Sequence, residues 1–252
     1  MSELKFEYKS VSRFSSAVSG HAFLLRPKPY GDDSQRVKNF KIEIPQSKSL
    51  FWQKDSFGND IAFSSIDGGH TEFEVRAVGA VEVVEGKKVT AFNPIFRYPS
   101  PLCFCDDEMA KFAAFYKADN AAQTVRNICA AVHERIIYTS GTTCVSTDSV
   151  RTFSQKSGVC QDIAHVFVAL LRSVGIPARY VAGYVKGLTK SHAWTEAYYD
   201  GFWHGFDATE NISQSKDYIK IAHGRDAADC PLNRGVFCGS VVEAVEIEIK
   251  VE

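Results

Sequence analysis

The chain carries no excess charge of either sign: 29 basic against 30 acidic residues in 252 leave a formal net charge of −1. No run of Lys and Arg exceeds two residues, so the electrostatics give no reason to expect a nucleic acid or an anionic membrane as partner. No apolar stretch approaches the roughly 20 residues that a membrane span needs. The first residues, Met1 through Lys9, alternate charged with apolar side chains and lack the apolar core of a secretion signal. A cytoplasmic location is the default expectation. Internal repeats and low-complexity tracts are absent, and so are paired cysteines. The seven cysteines are odd in number and dispersed, none in a Cys-x-x-Cys spacing. That removes a zinc ribbon or a thioredoxin-type site and favours reduced, partly buried thiols. Only Cys103 and Cys105 lie close together.

What remains is an ordinary globular composition, 45% hydrophobic and 23% charged, long enough for one large domain or two small ones. Its pattern changes near residue 100. Upstream, Phe6 and Tyr8 alternate with Lys5, Glu7 and Lys9, Ile42 and Ile44 alternate with charged neighbours, and Thr71 to Val78 alternates throughout. Turn clusters at Gly31–Ser34, Phe57–Asp60 and Asp67–Gly69 separate these runs. They predict an N-terminal β-sandwich-like domain over residues 1–98, closed by Pro94, Pro99 and Pro101.

Residues 99–252 read differently. Asp106, Asp107 and Glu108 suit the start of a helix, and Val125, Ile128, Val132 and Ile136 form a helical apolar stripe. Strands are expected near 178–185, 191–199, 202–207, 217–222 and 241–251. In the last, Val245, Ile247, Ile249 and Val251 share one face, with Glu246, Glu248 and Lys250 on the other. The fold class is α+β, helices packed on an antiparallel sheet in a papain-like manner, preceded by the β domain.

The chemistry concentrates in two segments. From Ile163 to Val174 apolar residues crowd almost every side, which marks a buried helix, and Gly175 with Pro177 stops it. Cys160 falls in its first turn, where the dipole and free N–H groups favour an anion and can donate to an oxyanion. Further on, Asp200-Gly201 between aromatic residues is a two-residue hairpin signal with a type I′ turn. That register pairs Tyr199 with Phe202, sets Asp207 opposite Trp194, and makes His192 a diagonal neighbour of Asp207 at roughly 7–8 Å. A thiol, an imidazole and an orienting carboxylate are the minimum set for acyl transfer through a thioester.

The runs GVCQDIAHVFVALLRSVGIPARYVAGY (158–184), SHAWTEAYYDGFWHGFDATEN (191–211) and HGRDAADCPLNRGVFCG (223–239) resemble the transglutaminase-like superfamily, in particular its bacterial transglutaminase-like cysteine proteases. The resemblance implies that Cys160 is the nucleophile, His192 the general base and acid, and Asp207 the residue that orients His192. It implies the same papain-like fold for the catalytic domain read over 99–252, and the thiol chemistry itself requires no metal or other cofactor. It leaves the substrate open, because the superfamily includes proteases, transglutaminases, amidases and inactive members.

The expected activity is that of a cysteine protease, peptidase or amidase acting on a peptide or protein amide. The alternatives are a protein-glutamine transglutaminase and a catalytically silent binding module. A thiolate–metal site built from Cys160, His192 and Cys103 or Cys105 is a remoter option, since no third ligand is well placed. Gln155 is a candidate oxyanion donor and Trp194 a candidate shield for the His–Asp bond. Asp162 reads as structural, and His165 as a packed core histidine rather than a rival base.

Overall fold

The computed structural model describes residues 2–47, 49–84 and 92–252. The first strand, β1 (Ser2–Leu25), is 24 residues long, several times the usual length of about 5–6. It is followed by β2 (Gln35–Glu43), β3 (Phe51–Lys54), β4 (Asp60–Ile66) and β5 (His70–Val83). The alternation read from the sequence is real: Leu4, Phe6 and Tyr8 on β1 and Phe73, Val75 and Ala77 on β5 are buried together. β1 bends rather than running straight. Its pairing shifts register between Arg13 and Val18 and again between Ser19 and Ala22, around Gly20 at φ 56°. The first half pairs with β5 and the second with β4, giving the order β2-β5-β1-β4-β3.

The chain then forms α1 (Asp107–Phe115), α2 (Ala121–Arg135), the short β6 (Ile137–Tyr138), α3 (Ser149–Gln155), β7 (Ser157–Gly158) and α4 (Cys160–Ser173). Each helix start has a physical cause. Asp106, Asn120 and Asp148 cap α1, α2 and α3 by accepting backbone N–H bonds in the first turn. α4 is buried on every side from Asp162 to Arg172 and packs with Val125, Ile128 and Val132 of α2. Its apolar run therefore has no solvent face.

Against α4 lies an antiparallel sheet of β8 (Ala178–Val185), β9 (His192–Tyr199), β10 (Phe202–Asp207), β11 (Ile212–Ser213) and β12 (Tyr218–Gly224), in the order β11-β10-β9-β8-β12. The β9–β10 hairpin has the expected register, from Tyr199↔Phe202 to Thr195↔Phe206. Asp200 and Gly201 both have positive φ, 52° and 81°, as a type I′ turn requires.

The last strands, β13 (Asn233–Cys238) and β14 (Glu243–Val251), do not join this sheet. Both pair with β1, β14 over Phe6–Phe14 and β13 over Ser19–Leu25. Residues 233–251 therefore complete the N-terminal sheet, although a division at residue 98 places them with the core. Local periodicity identifies a strand but carries no record of its partner. Ile249 and Val251 pack with Tyr184, Ile219 and Ile221 in one cluster, so the two parts share a continuous core. No helix among the described residues is long and apolar enough to cross a membrane.

Candidate active site

Cys160 is the first residue of α4, behind Val159 in extended conformation (φ −101°, ψ 178°). Asp162 builds this helix start. Its Oδ2 accepts the Val159 N–H at 2.9 Å and the Thr143 hydroxyl at 2.7 Å, which satisfies one donor the helix cannot. Gly158 makes room for it, since a Cβ there would lie 2.8 Å from Asp162 Cβ and 2.9 Å from Oδ2. Burial pushes the Asp162 carboxyl up, with the Thr143 and Val159 bonds acting the other way. Oδ2 is thus committed to the Val159 backbone and the Thr143 hydroxyl, a structural role at the helix start.

His192 opens β9, paired with Gly183 of β8. Its Nε2 lies 2.6 Å from Asp207 Oδ2, and Cys160 is near enough to act on the same ring. Nδ1 is the nitrogen left for the sulfur. Burial acts to lower the imidazole pKa, but the bonds and charges of Asp207 and Cys160 together outweigh it and carry His192 up to about 10. Asp207 is fully buried and fully satisfied. Oδ2 also accepts the Tyr218 hydroxyl at 2.8 Å, while Oδ1 accepts the N–H groups of Thr209 at 2.9 Å and Glu210 at 3.4 Å. Burial works to raise this carboxyl, and the donors around it hold it below the ordinary carboxylate range.

Tyr218 has no counterpart in the sequence reading. It sits on β12, next to β8 and two strands from β9, and nothing in its spacing from Asp207 reveals the contact. Trp194 is buried and packs edge-on against Tyr218, with centroids 5.2 Å apart at 81°. It shields the tyrosine that holds Asp207. Gly183 permits this, since a Cβ there would meet the Trp194 ring at 2.5 Å.

Two other candidates lie apart from the thiol. Gln155 donates its amide to the Ser157 carbonyl at 2.8 Å and does not line the cleft around Cys160; its donor is used within its own loop. His165 is fully buried, accepts the Ala227 N–H at 3.1 Å and is lowered to about 4, chiefly by burial. It is a neutral core residue. Cys103 is buried in the helical core, away from Cys160. Among the described residues no group of three or more His, Cys, Asp and Glu side chains could hold a metal ion.

Cys160 and His192 open into a cleft of about 760 Å³ between the core and the N-terminal sheet. One wall comes from α4 and β9, with Tyr180 beneath. The other comes from Ser10 and Ser12 of β1 and Val245 and Ile247 of β14. A second cavity of about 690 Å³ contains neither Cys160 nor His192 and is lined by the buried Arg179, Glu196 and Lys220.

The profile of the transglutaminase-like superfamily matches residues 110–208, the span that holds Cys160, His192 and Asp207, and that of the bacterial transglutaminase-like N-terminal region matches 4–82. The chain thus joins a transglutaminase-like core to a bacterial transglutaminase-like N-terminal region. A crystal structure described as a putative cysteine protease from Cytophaga hutchinsonii superposes with a TM-score of 0.81 at 25% identity, over 100% of this chain and 91% of that one. An uncharacterized protein of Mycobacterium leprae is 28% identical over 89% of this chain and 88% of its own length. Another from Mycobacterium tuberculosis is 28% identical over 97% and 90%. The match to the N-terminal profile explains why a transglutaminase-like core is fused to the bent sheet described above.

Proposed function

We propose that this protein is a thiol-dependent amide-bond enzyme that works through an acyl-thioester on Cys160, most simply a cysteine peptidase or amidase. The observation that carries the reading is the buried His192–Asp207 hydrogen bond, with Cys160 acting on the same imidazole in a cleft that Cys160 and His192 both line. The Cys160 thiolate attacks the amide carbonyl, and the His192 imidazolium gives its proton to the departing amine. Water then attacks the thioester while His192 takes its proton, releasing the acid and restoring the thiol–imidazole pair. The free N–H groups at the start of α4 are suited to the oxyanion. An amine in place of water would make the same enzyme a transglutaminase. Cys160 is partly exposed within the cleft, so water can reach a thioester formed there.

Site-resolved alkylation tests this. Iodoacetamide labelling near pH 7, followed for each cysteine peptide by mass spectrometry, is expected to favour Cys160 and to lose that preference in His192→Ala. Cys144 supplies an internal control. It is exposed, and hydrogen bonds from Ser146 and Thr147 bring it down to about 7, so it should label in both proteins. Equal labelling of Cys160 with and without His192 would overturn the proposal and leave a silent binding module.

A further inference from the structure

The outer side of β14 bears on what the proposed enzyme would act upon. In an antiparallel ladder the backbone N–H and C=O groups of successive residues point alternately to the two sides of the strand. Just past the end of β14, Glu252 exchanges both backbone hydrogen bonds with Lys5 of β1. The even-numbered residues therefore face β1, and the odd-numbered residues face away. Ile249 confirms the phase, since its N–H turns outward to the Thr189 carbonyl at 3.0 Å. Beyond that bond the outward edge has no partner: among the described residues, no strand pairs with the free side of β14 at Val245 or Ile247.

The side chains add a second observation. Ile249 and Val251 are buried in the shared core, but the same apolar row continues into the cleft, where Ile247 is 43% and Val245 52% exposed. An edge strand with open hydrogen-bonding groups and bare β-branched side chains is a template for another strand. Native sheets usually blunt such an edge with proline, charge or a covering loop. Glu246, Glu248 and Lys250 charge the opposite face of β14, but Val245 and Ile247 are left uncovered where they line the same cleft as Cys160 and His192. The one segment that does pair with it, at Thr189, leads within three residues to His192.

We propose that the outer edge of β14 is the substrate-docking strand: an extended peptide pairs with the backbone of Val245 and Ile247, which carries its scissile amide to Cys160. The inference rests on the thiol chemistry proposed above and names its substrate class. That class is an unfolded or extended polypeptide segment, recognised through its main chain. Side chains of an added strand directly opposite Val245 and Ile247 lie on the same face as those two residues. The peptide should therefore carry apolar, preferably β-branched, residues at alternate positions.

The probe is an acetylated pentapeptide of alternating Val and Ser that ends in a chloromethyl ketone, with iodoacetamide as the reference alkylator. Two further versions carry N-methyl groups on one or the other alternate set of amides. Cys160 labelling by the parent reagent should fall about ten-fold when one set is methylated, the worth of about two backbone hydrogen bonds, and change little with the other set. Proline at an edge position removes only the outward N–H, so Ile247→Pro should lower the ratio of peptide to iodoacetamide labelling by a similar factor, while Ile247→Ala, which keeps the N–H, should lower it less. Should the proline variant fold poorly, the methylated reagents on the unaltered protein give the same answer. Equal rates for all three peptide reagents would overturn the docking strand. The parent peptide, fluorescently labelled and bound to Cys160→Ala, supplies the same comparison by anisotropy. An inert Cys160 would then refute the chemistry alone, and loss of the alternation would refute the docking alone.

Discussion

Asp207→Asn distinguishes a carboxylate that sets the state of His192 from a side chain that merely fills its place. Four donors converge on Asp207, with His192 and Tyr218 on Oδ2 and two backbone amides on Oδ1. Asparagine offers one acceptor oxygen and two donor protons. The backbone amides cannot turn away, so the oxygen stays with them and the NH2 faces His192 and Tyr218. The tyrosine hydroxyl can rotate to accept, but the imidazole must then accept at Nε2 and carry its proton on Nδ1, toward Cys160. A ring in that tautomer cannot take the thiol proton.

The size of the effect follows from the imidazole. A rise from 6.5 to about 10 corresponds to about 5 kcal/mol, supplied by Asp207 and Cys160 against burial. Half of that, about 2.5 kcal/mol, is about 60-fold, and the wrong tautomer alone costs about 10⁴-fold in a serine protease. Cys160 alkylation at pH 7 is therefore expected to fall by between about 60-fold and about 10⁴-fold. NMR titration of His192 should show its midpoint moving well below that of the unaltered protein. Stability should follow with a definite sign. A histidine whose folded pKa is raised contributes fully below 6.5 and loses that contribution as pH rises through about 10. The variant should lack most of that slope in denaturant melts. An Asn variant that alkylates at the unaltered rate with an unchanged His192 titration would refute the reasoning.

Three other perturbations probe the frame around the site. Tyr218→Phe removes one donor to Asp207 Oδ2 while His192 keeps that oxygen bonded, so unfolding free energy should drop by about 1–2 kcal/mol in denaturant melts, with much smaller loss of Cys160 reactivity than in Asp207→Asn. Gly158→Ala drives a methyl group into the Asp162 carboxylate. It should cost about 1–3 kcal/mol and slow Cys160 labelling by displacing the start of α4; an unchanged melting temperature would show that the loop yields freely. Glu196 is buried between Arg179 at 2.5 Å and Lys220 at 2.8 Å. Burial works to raise its carboxyl, yet those two cations hold it down at about 2. Its contribution is present above about 4.5 and is lost as pH falls toward about 2. Glu196→Gln should cost about 3–5 kcal/mol near neutral pH and flatten the acid limb of the stability profile.

The residues that the sequence placed well are those fixed by nearest neighbours. The first-turn position of Cys160 follows from an apolar run with a Gly-Pro stop, and the Asp162 contact lies within one helical turn. The register that brings His192 to Asp207 follows from Asp200-Gly201 and a period of two, because a two-residue turn leaves no freedom to slip. Gln155, a candidate oxyanion donor by its place five residues before Cys160, has its amide committed to the Ser157 carbonyl instead, beside the turn at Lys156 (φ 56°).

By itself the sequence determined the two strand-rich and helix-rich stretches, the thiol at the start of a buried helix, and the hairpin that joins imidazole to carboxylate. Each rests on turn chemistry or on a 2.0 or 3.6 repeat, which act over a few residues. Only the tertiary structure decided that β1 bends to serve two partners in each half, and that residues 233–251 return to it. It alone brought Tyr218 across the sheet to Asp207 and placed Val245 and Ile247 of β14 in the cleft that Cys160 lines. These are matters of sheet order, set by which buried faces fit together across the whole chain, and a period of two reads the same whichever strand lies alongside.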